Sequence, residues 1–342
     1  MSDDNATSAE RPDWQIYLGN NHPRDAWKVP EPPPWRRRRA STEAAKAGEP
    51  LRAPLADSTV QKGTTYQSSP EIRRLVNAAL HLRRPLLITG GPGTGKSSLI
   101  DSVAWELGLG EPLRWPVTSR STLREALYSY DAIGRAQRRD GGRAADRLLD
   151  VGDFIELGPL GTAMLPALTP RALLIDEIDK ADVDLPNDLL NVIEEGRYHI
   201  PELSRLRDKT MRVRAFGGRG MVEIEEGLVE SHEFPFVVMT SNGERDFPAP
   251  FLRRCLQLRM PDPCADPKRL NDIVSAHLGA GKLDAANELI KSFVTRANAG
   301  EMLATDQLLN AIQLVMGAYA MNDSDRAEMV ASLTTGLGRK AG

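Results

Sequence analysis

Residues Gly90-Gly91-Pro92-Gly93-Thr94-Gly95-Lys96-Ser97 fit the pattern G-x-x-x-x-G-K-[ST], and their flanks restrict what the chain can fold into. The apolar run Pro85-Leu86-Leu87-Ile88-Thr89 before them is predicted as a buried strand, and residues 98–107 after them have helical spacing. Strand, glycine loop and helix in that order turn backbone N–H groups and the positive helix start toward a phosphate. Gly90, Gly91, Pro92, Gly93, Thr94, Gly95, Lys96, Ser97 and Ser98 are therefore the expected nucleotide-binding loop. Lys96 should reach the β- and γ-phosphates, and the Ser97 hydroxyl should ligate Mg²⁺. A glycine turn that merely packs is the alternative, and the flanking strand and helix weigh against it.

About eighty residues on, Ala172-Leu173-Leu174-Ile175 is a second continuous apolar run, suited to a central parallel strand, and it ends in Asp176-Glu177. Ligands of open α/β sheets gather at such strand ends. Asp176 is placed to hold Mg²⁺ through its water shell, and Glu177 to polarise an attacking water as general base. Taken alone, the two carboxylates could form an exposed turn; paired with the glycine loop they point to hydrolysis. A third strand, Phe236-Val237-Val238-Met239-Thr240-Ser241, ends in Asn242, whose amide can bond a γ-phosphate or the lytic water. Phe251-Leu252-Arg253-Arg254-Cys255 follows, with an arginine pair at the end of a short helical stretch. Two solvated arginines are the commoner fate of such a pair.

The order of these four elements resembles an AAA+ ATPase module. In that resemblance Asn242 corresponds to the sensor-1 residue, and Arg253 or Arg254 to the arginine finger. Three further stretches are similar to the MoxR-like branch: Leu82-Arg83-Arg84-Pro85-Leu86-Leu87, Phe154-Ile155-Glu156-Leu157-Gly158-Pro159-Leu160 and Asp176-Glu177-Ile178-Asp179-Lys180-Ala181. Leu189-Leu190-Asn191-Val192-Ile193-Glu194-Glu195-Gly196 adds a fourth. The likeness covers residues 60–320. It implies an α/β fold of the P-loop NTPase (AAA+) type, a parallel sheet sandwiched by helices with a C-terminal helical lid. The implied division is an N-terminal arm over 1–60, a nucleotide-binding domain over 61–262 and a lid over 263–342. It also implies ATP and Mg²⁺ as cofactors, a homo-oligomeric ring, typically a hexamer, and a protein client that the ring remodels. The finger of such rings acts in trans, because its own γ-phosphate is too far away. ATP is chosen by resemblance, and no guanine-reading N-K-x-D motif occurs. One departure stands out: where many lids carry a sensor-2 arginine, this chain has Ala304-Thr305-Asp306-Gln307. Either the lid lacks a phosphate contact, or Arg296 or another nearby residue supplies it.

Composition sets limits. The 342 residues, 41% of them hydrophobic, suffice for one α/β domain and a smaller helical one. No run of about twenty apolar residues exists to span a bilayer, and Met1-Ser2-Asp3-Asp4-Asn5 lacks the basic and apolar regions of a secretion signal. Cys255 and Cys264 are too few for a disulfide framework or zinc site, which suits a reducing cytoplasm. Cys255 is expected to be a small apolar residue entering the strand Leu256-Gln257-Leu258. The five histidines form no metal-spaced pair, and a net charge of −3 gives no global pull toward nucleic acid.

The first sixty residues differ from the rest. Glu31-Pro32-Pro33-Pro34-Trp35 favours extended geometry, and the small, polar stretch 40–56 is expected to be a linker. Yet Trp14, Tyr17, Trp27 and Trp35 also lie in this arm, and disordered segments are poor in aromatics. Part of the arm is therefore expected to dock on the ATPase body, a neighbouring subunit or a partner. Its run Arg36-Arg37-Arg38-Arg39 could touch nucleic acid, though such runs are more often solvated.

Elsewhere, Ser69 is a predicted N-cap with Pro70 in the first turn of a helix, and by resemblance residues 63–66 border the adenine. Residues 113–117 are predicted as a strand, followed by a helix carrying Leu123, Ala126 and Leu127, with a loop at Gly141-Gly142. Residues 211–216 and 221–224 flank Gly217-Gly218-Arg219-Gly220 as a β-hairpin. This hairpin and the insertion 151–165, with Arg219 and Phe154 at their tips, are expected to face a channel or neighbour, or else to be a surface feature without a client. Helices are predicted over 267–277, 282–297, 306–320 and 324–337. A nucleic-acid-stimulated translocase and a nucleotide-operated signalling switch are the readings from other classes.

Overall fold

The computed structural model describes residues 14–37, 40–140, 151–206, 209–279, 283–317 and 322–336. The strands along the chain are β1 Leu86–Thr89, β2 Leu113–Pro116, β3 Tyr128–Tyr130, β4 Ile155–Leu157, β5 Ala172–Asp176, β6 Arg197–His199, β7 Thr210–Arg214, β8 Met221–Glu225, β9 Leu228–Glu230, β10 Phe236–Ser241 and β11 Leu256–Arg259. The α-helices are α1 Thr42–Gly48, α2 Asp57–Thr65, α3 Pro70–Leu82, α4 Ser98–Leu107, α5 Leu123–Leu127, α6 Ala132–Asp140, α7 Pro159–Ala163, α8 Leu185–Glu195, α9 Pro201–Ser204, α10 Ala249–Leu252, α11 Pro267–Leu278, α12 Leu283–Asn298, α13 Thr305–Met316 and α14 Asp323–Leu333.

Five strands pair in parallel in the order β11-β1-β10-β5-β2. Their apolar runs are continuous because both faces are covered. Leu87, Leu173, Ile175, Val237 and Met239 enter one hydrophobic cluster, while Leu86, Ile88, Leu174, Val238 and Leu258 enter the other. This is the helix-sandwiched parallel sheet of a P-loop NTPase. Register levels the carboxyl ends: Thr89 lies opposite Ser241 and Arg259, and Pro116 opposite Asp176.

A second sheet has the order β3-β4-β7-β8-β9-β6, and within it β7 and β8 form the antiparallel hairpin that the spacing predicts. The insertion 151–165 differs from expectation. Ile155, Leu157 and residues 158–165 are buried, because β4 pairs with β3 and β7 and α7 packs beneath them. Phe154 is only half-buried, and Arg219 is tied to its own chain through the carbonyls of Glu111 and Phe216. The Arg219 side chain is therefore structural within the protomer.

Helices α11–α13 carry a third cluster around Leu270, Val274, Ile290, Phe293, Leu308 and Ile312, and α14 follows them. Two of these helices are shorter than predicted. Gly317 is extended and ends α13 at Met316, and α14 ends at Leu333, where Thr334 takes a non-helical conformation. The expectations for residues 1–5, Arg38, Arg39, Gly141-Gly142, Lys282 and residues 318–320 lie outside the described residues.

The N-terminal segment packs on α3 and α4. Tyr17 is fully buried and its hydroxyl lies 2.8 Å from Ser102 Oγ; the Trp27 indole donates to the Leu107 carbonyl. Glu106 accepts from the N–H groups of Leu18, Gly19 and Asn20; burial pushes its carboxyl above the usual range and these bonds pull it back. Trp14 and Trp35 remain exposed. The stretch 40–56 is not a linker. Ser41 caps α1, Ala45 is buried, and the Gly48 carbonyl accepts from the buried Arg171 guanidinium. A Cβ on Gly48 would stand 1.9 Å from the Pro166 carbonyl oxygen, so the small residues there serve close packing rather than chain flexibility.

Asn77 on α3 joins segment and body. Its Oδ1 accepts from Ile16 and Tyr17, and its Nδ2 donates to the carbonyls of Tyr17 and Arg73, all within 2.6–2.9 Å. Asn77→Ala would leave several buried backbone groups unpaired, each costing about 1–3 kcal/mol. The expected outcome is a stability loss of about 3 kcal/mol in denaturant titrations, with proteolytic release of the arm.

Candidate nucleotide site

The glycine loop lies at the carboxyl end of β1, between β10 and β11. Gly93 has φ +68°, and a Cβ there would meet Ala304 Cβ at 2.6 Å and Thr305 N at 2.9 Å. Glycine is required both by the left-handed backbone and by the close approach of α13. Thr94 fastens the loop by donating to the Gly91 carbonyl at 2.9 Å, and Ser97 and Ser98 open α4. Lys96 is 8% exposed and donates at 2.8 Å to the carbonyls of Gly90 and Gly91 and to Asn242 Oδ1. Burial lowers its pKa, and Asp176, Asp179 and Glu177 act against that shift. An ammonium so tied to three oxygens sits where phosphate oxygens can take it over.

β5 and β10 bring the polar residues together. Asp176 Oδ1 accepts from Ser97 Oγ at 2.8 Å and from Thr240 Oγ1 at 2.5 Å, and Thr240 Oγ1 accepts from the Glu177 N–H at 2.9 Å. Glu177 has left-handed backbone (φ 58°), which costs a non-glycine residue about 1–2 kcal/mol and turns the side chain off the strand line. Its carboxylate accepts from Lys180 Nζ at 2.6 Å and from Asn242 Nδ2 at 3.3 Å. The bond to Glu177 raises the Lys180 pKa. Asp179 Oδ2 accepts from the N–H groups of Asn242 and Glu244, which fixes the Asn242 backbone.

Lys96, Ser97, Asp176, Glu177 and Asn242 thus form one connected cluster. Thr240, Asp179 and Lys180 complete it, and none of the three was assigned a role from sequence. A Mg²⁺ ion suits this donor set, because the Ser97 hydroxyl and Asp176 carboxylate present two adjacent hard oxygens. Among the described residues no group of three or more His, Cys, Asp or Glu side chains could hold a metal.

Beside the loop is a cavity of about 240 Å³ between α2 and the lid, lined by Thr65, Tyr66, Gln67, Gly93, Arg269, Ile273 and Thr305 among others. Gly63 itself packs on Trp105. Arg296 is far from this role: its guanidinium is taken by Glu301 and by the hydroxyl and carbonyl of Thr334.

Arg253 and Arg254 stand at the opposite edge of the sheet. They precede β11, beside Arg84, whose guanidinium donates to both their carbonyls, whereas the loop follows β1. Leu256 N bonds the Pro85 carbonyl and Met260 N bonds the Thr89 carbonyl, so the pair and the loop are separated by the strand height of about 13 Å. Arg253 is exposed. Arg254 is aimed by Asn191 Oδ1 at 2.8 Å and by Glu194 at 3.4 Å, and Glu194 also holds Arg36 at 3.0 Å. Cys255 beside them is buried, and burial pushes its thiol up to about 12.

Among family models, the one described as AAA domain (dynein-related subfamily) matches residues 85–255, half of the chain. No curated protein matches. Solved structures of NtrX from Brucella abortus are similar: the complex with ADP at 13% identity (TM-score 0.38, 78% of this chain and 56% of that one), and the complex with ATP at 14% identity (TM-score 0.34, 72% and 51%). The chain spans about half the length of these structures.

Thr240→Val keeps shape and removes the hydroxyl shared by Asp176 and Glu177. Partners of metal ligands are worth about 10–100-fold in metal affinity or activity. The variant should therefore fold as before yet require about ten times more Mg²⁺ for nucleotide turnover, measured by titrating Mg²⁺ at fixed ATP.

Proposed function

Because the chain belongs to the dynein-related subfamily of AAA domains, we propose that it binds and hydrolyses ATP with Mg²⁺ and acts as a MoxR-like ring that remodels a protein partner. The observation that carries this reading is the placement of its polar groups. Lys96, Ser97, Asp176, Glu177 and Asn242 meet at the carboxyl edge of the sheet, while the arginine pair lies a full strand height away. An arginine cannot reach its own γ-phosphate from there, so it serves an adjoining copy, and a closed ring satisfies every site in turn.

In this reading the loop amides and Lys96 hold the phosphates, and Ser97 and Asp176 would hold Mg²⁺, which would supply positive charge against the phosphate charge. Glu177 takes a proton from the attacking water, and Asn242 orients that water or the γ-phosphate. Lys180 and Asn242 hold the Glu177 carboxylate in place, so a base is positioned when nucleotide draws Lys96 and Asn242 toward the phosphates. Arg254, aimed by Asn191 and Glu194, is the better candidate for the finger, since a guanidinium held in advance loses less entropy at the transition state. Arg253 adds charge at the same face. Residues 1–60, 61–262 and 263–342 are the arm, nucleotide domain and lid, and a cytoplasmic setting suits two free, buried cysteines. Arg219 at the hairpin tip is held by the Glu111 carbonyl of its own chain.

Three substitutions test the assignments. Lys96→Ala should abolish ATP binding, and Glu177→Gln should trap bound ATP in a stable oligomer from which a protein client can be recovered. Arg254→Ala should lower turnover by about 10³-fold or more while ATP affinity stays within a few-fold of the parent. Normal hydrolysis after both Arg253→Ala and Arg254→Ala would remove the inter-subunit mechanism.

A further inference from the structure

We infer that Arg269, in the first turn of α11, is the lid cation that grips the bound nucleotide, and that it acts on the phosphates nearest the ribose, not on the γ-phosphate. This rests on the nucleotide-binding reading above and goes beyond it by naming a residue that no sequence motif marks.

The lid offers few other candidates. Where an arginine would be expected, α13 begins Thr305-Asp306, and Asp306 lines the cavity with a negative charge. Arg296 is committed to Glu301 and Thr334. His277 also lines the cavity, but burial lowers its pKa and favours the neutral ring. Among the described lid residues, that leaves Arg269 as the cation facing the cavity.

Its surroundings show an incomplete hydrogen-bond set. Arg269 Nε is buried without a partner, and so are Tyr66 Oη and Thr305 Oγ1 on the walls of the same cavity. These unpaired atoms belong to residues that line one cavity, two in the lid and one just after α2, and such groups are costly unless a partner is supplied there. Arg269 and Tyr66 line the same cavity from opposite segments, the lid and the turn after α2.

The cavity shows which end of the nucleotide is involved. It is lined by Gly93, Thr94, Gly95 and Ser98 of the loop, but not by Lys96, Asp176, Glu177 or Asn242, the groups around the γ-phosphate. Arg269 therefore meets the part that ADP and ATP share. A guanidinium fork suits two phosphate oxygens there, and the contact closes the lid over nucleotide in either state.

The test is direct titration of ADP and of ATP into the full chain and its Arg269→Ala variant. Both dissociation constants should rise together, by about 10–100-fold, as loss of a hydrogen bond between charged groups does. The melting temperature without nucleotide should stay near that of the parent, and the ADP-induced rise should shrink. Arg269→Lys should recover part of the affinity, and it replaces the alanine variant if that one fails to fold. Unchanged ADP affinity overturns the assignment, as does a loss confined to ATP. If the unsubstituted chain binds neither nucleotide, the nucleotide-binding reading fails; if it binds both and the variant binds them equally well, only the role of Arg269 fails.

Discussion

A parallel sheet buried on both faces cannot slip by one residue, because each slip would exchange its two hydrophobic surfaces. In this chain that constraint builds the site. With Val237 opposite Leu173 and Met239 opposite Ile175, the next residue of β10, Thr240, comes to lie beside Asp176. Its hydroxyl then bonds both the Asp176 carboxylate and the Glu177 amide. On the other side of β10, Thr89 opposite Ser241 sets the glycine loop level with Asn242 and allows Lys96 to reach it. Packing of Leu, Ile and Val in the interior thus fixes the separation of the polar groups at the rim, and no flexible segment has to find them.

Much of this was legible because the informative residues are neighbours in sequence. The glycine loop carries its strand and helix with it, and Asp176-Glu177 and Asn242 each follow an apolar run directly. Thr240 was visible but silent, since its partner Asp176 is 64 residues away and only the parallel register joins them. Arg269 was hidden for a related reason. Helix spacing identifies which residues pack, yet the cavity is closed by three segments remote from one another in the chain. Small residues misled in the opposite direction: Ala45 and Gly48 resemble a linker in composition, yet both are buried, and at Gly48 the 165–171 loop leaves no room for a side chain. Residues 151–165 looked like a projecting insertion, and strand pairing draws them inside instead.

The aromatic content of the arm has a similar physical meaning. Tyr17 and Trp27 bury apolar surface, with their polar atoms satisfied by Ser102 and the Leu107 carbonyl, so the segment is attached by many weak contacts and one amide clamp at Asn77. The same segment ends beside the arginine pair, where Arg36 and Arg254 share the single carboxylate of Glu194. Two guanidinium groups on one carboxylate leave positive charge uncompensated at that face. Exposed Trp35 lies next to it, so the arm adds both apolar area and charge to the surface that presents Arg253.

The lid has its own hydrophobic cluster, separate from the two that clamp the central sheet. Its meeting point with the glycine loop is made of small groups, Gly93 against Ala304 and the Thr305 amide, which permit close approach but bury little area. A ligand in the adjoining cavity touches α2, the loop and α11 at once and so supplies the adhesion that the direct contact lacks. Present at about 100 times its dissociation constant, such a ligand stabilises the closed arrangement by about 2.7 kcal/mol. That is comparable to the whole effect of a good hydrogen-bonded clamp such as Asn77. A ligand bound in the cavity would thus add to the contacts that hold the lid against the sheet.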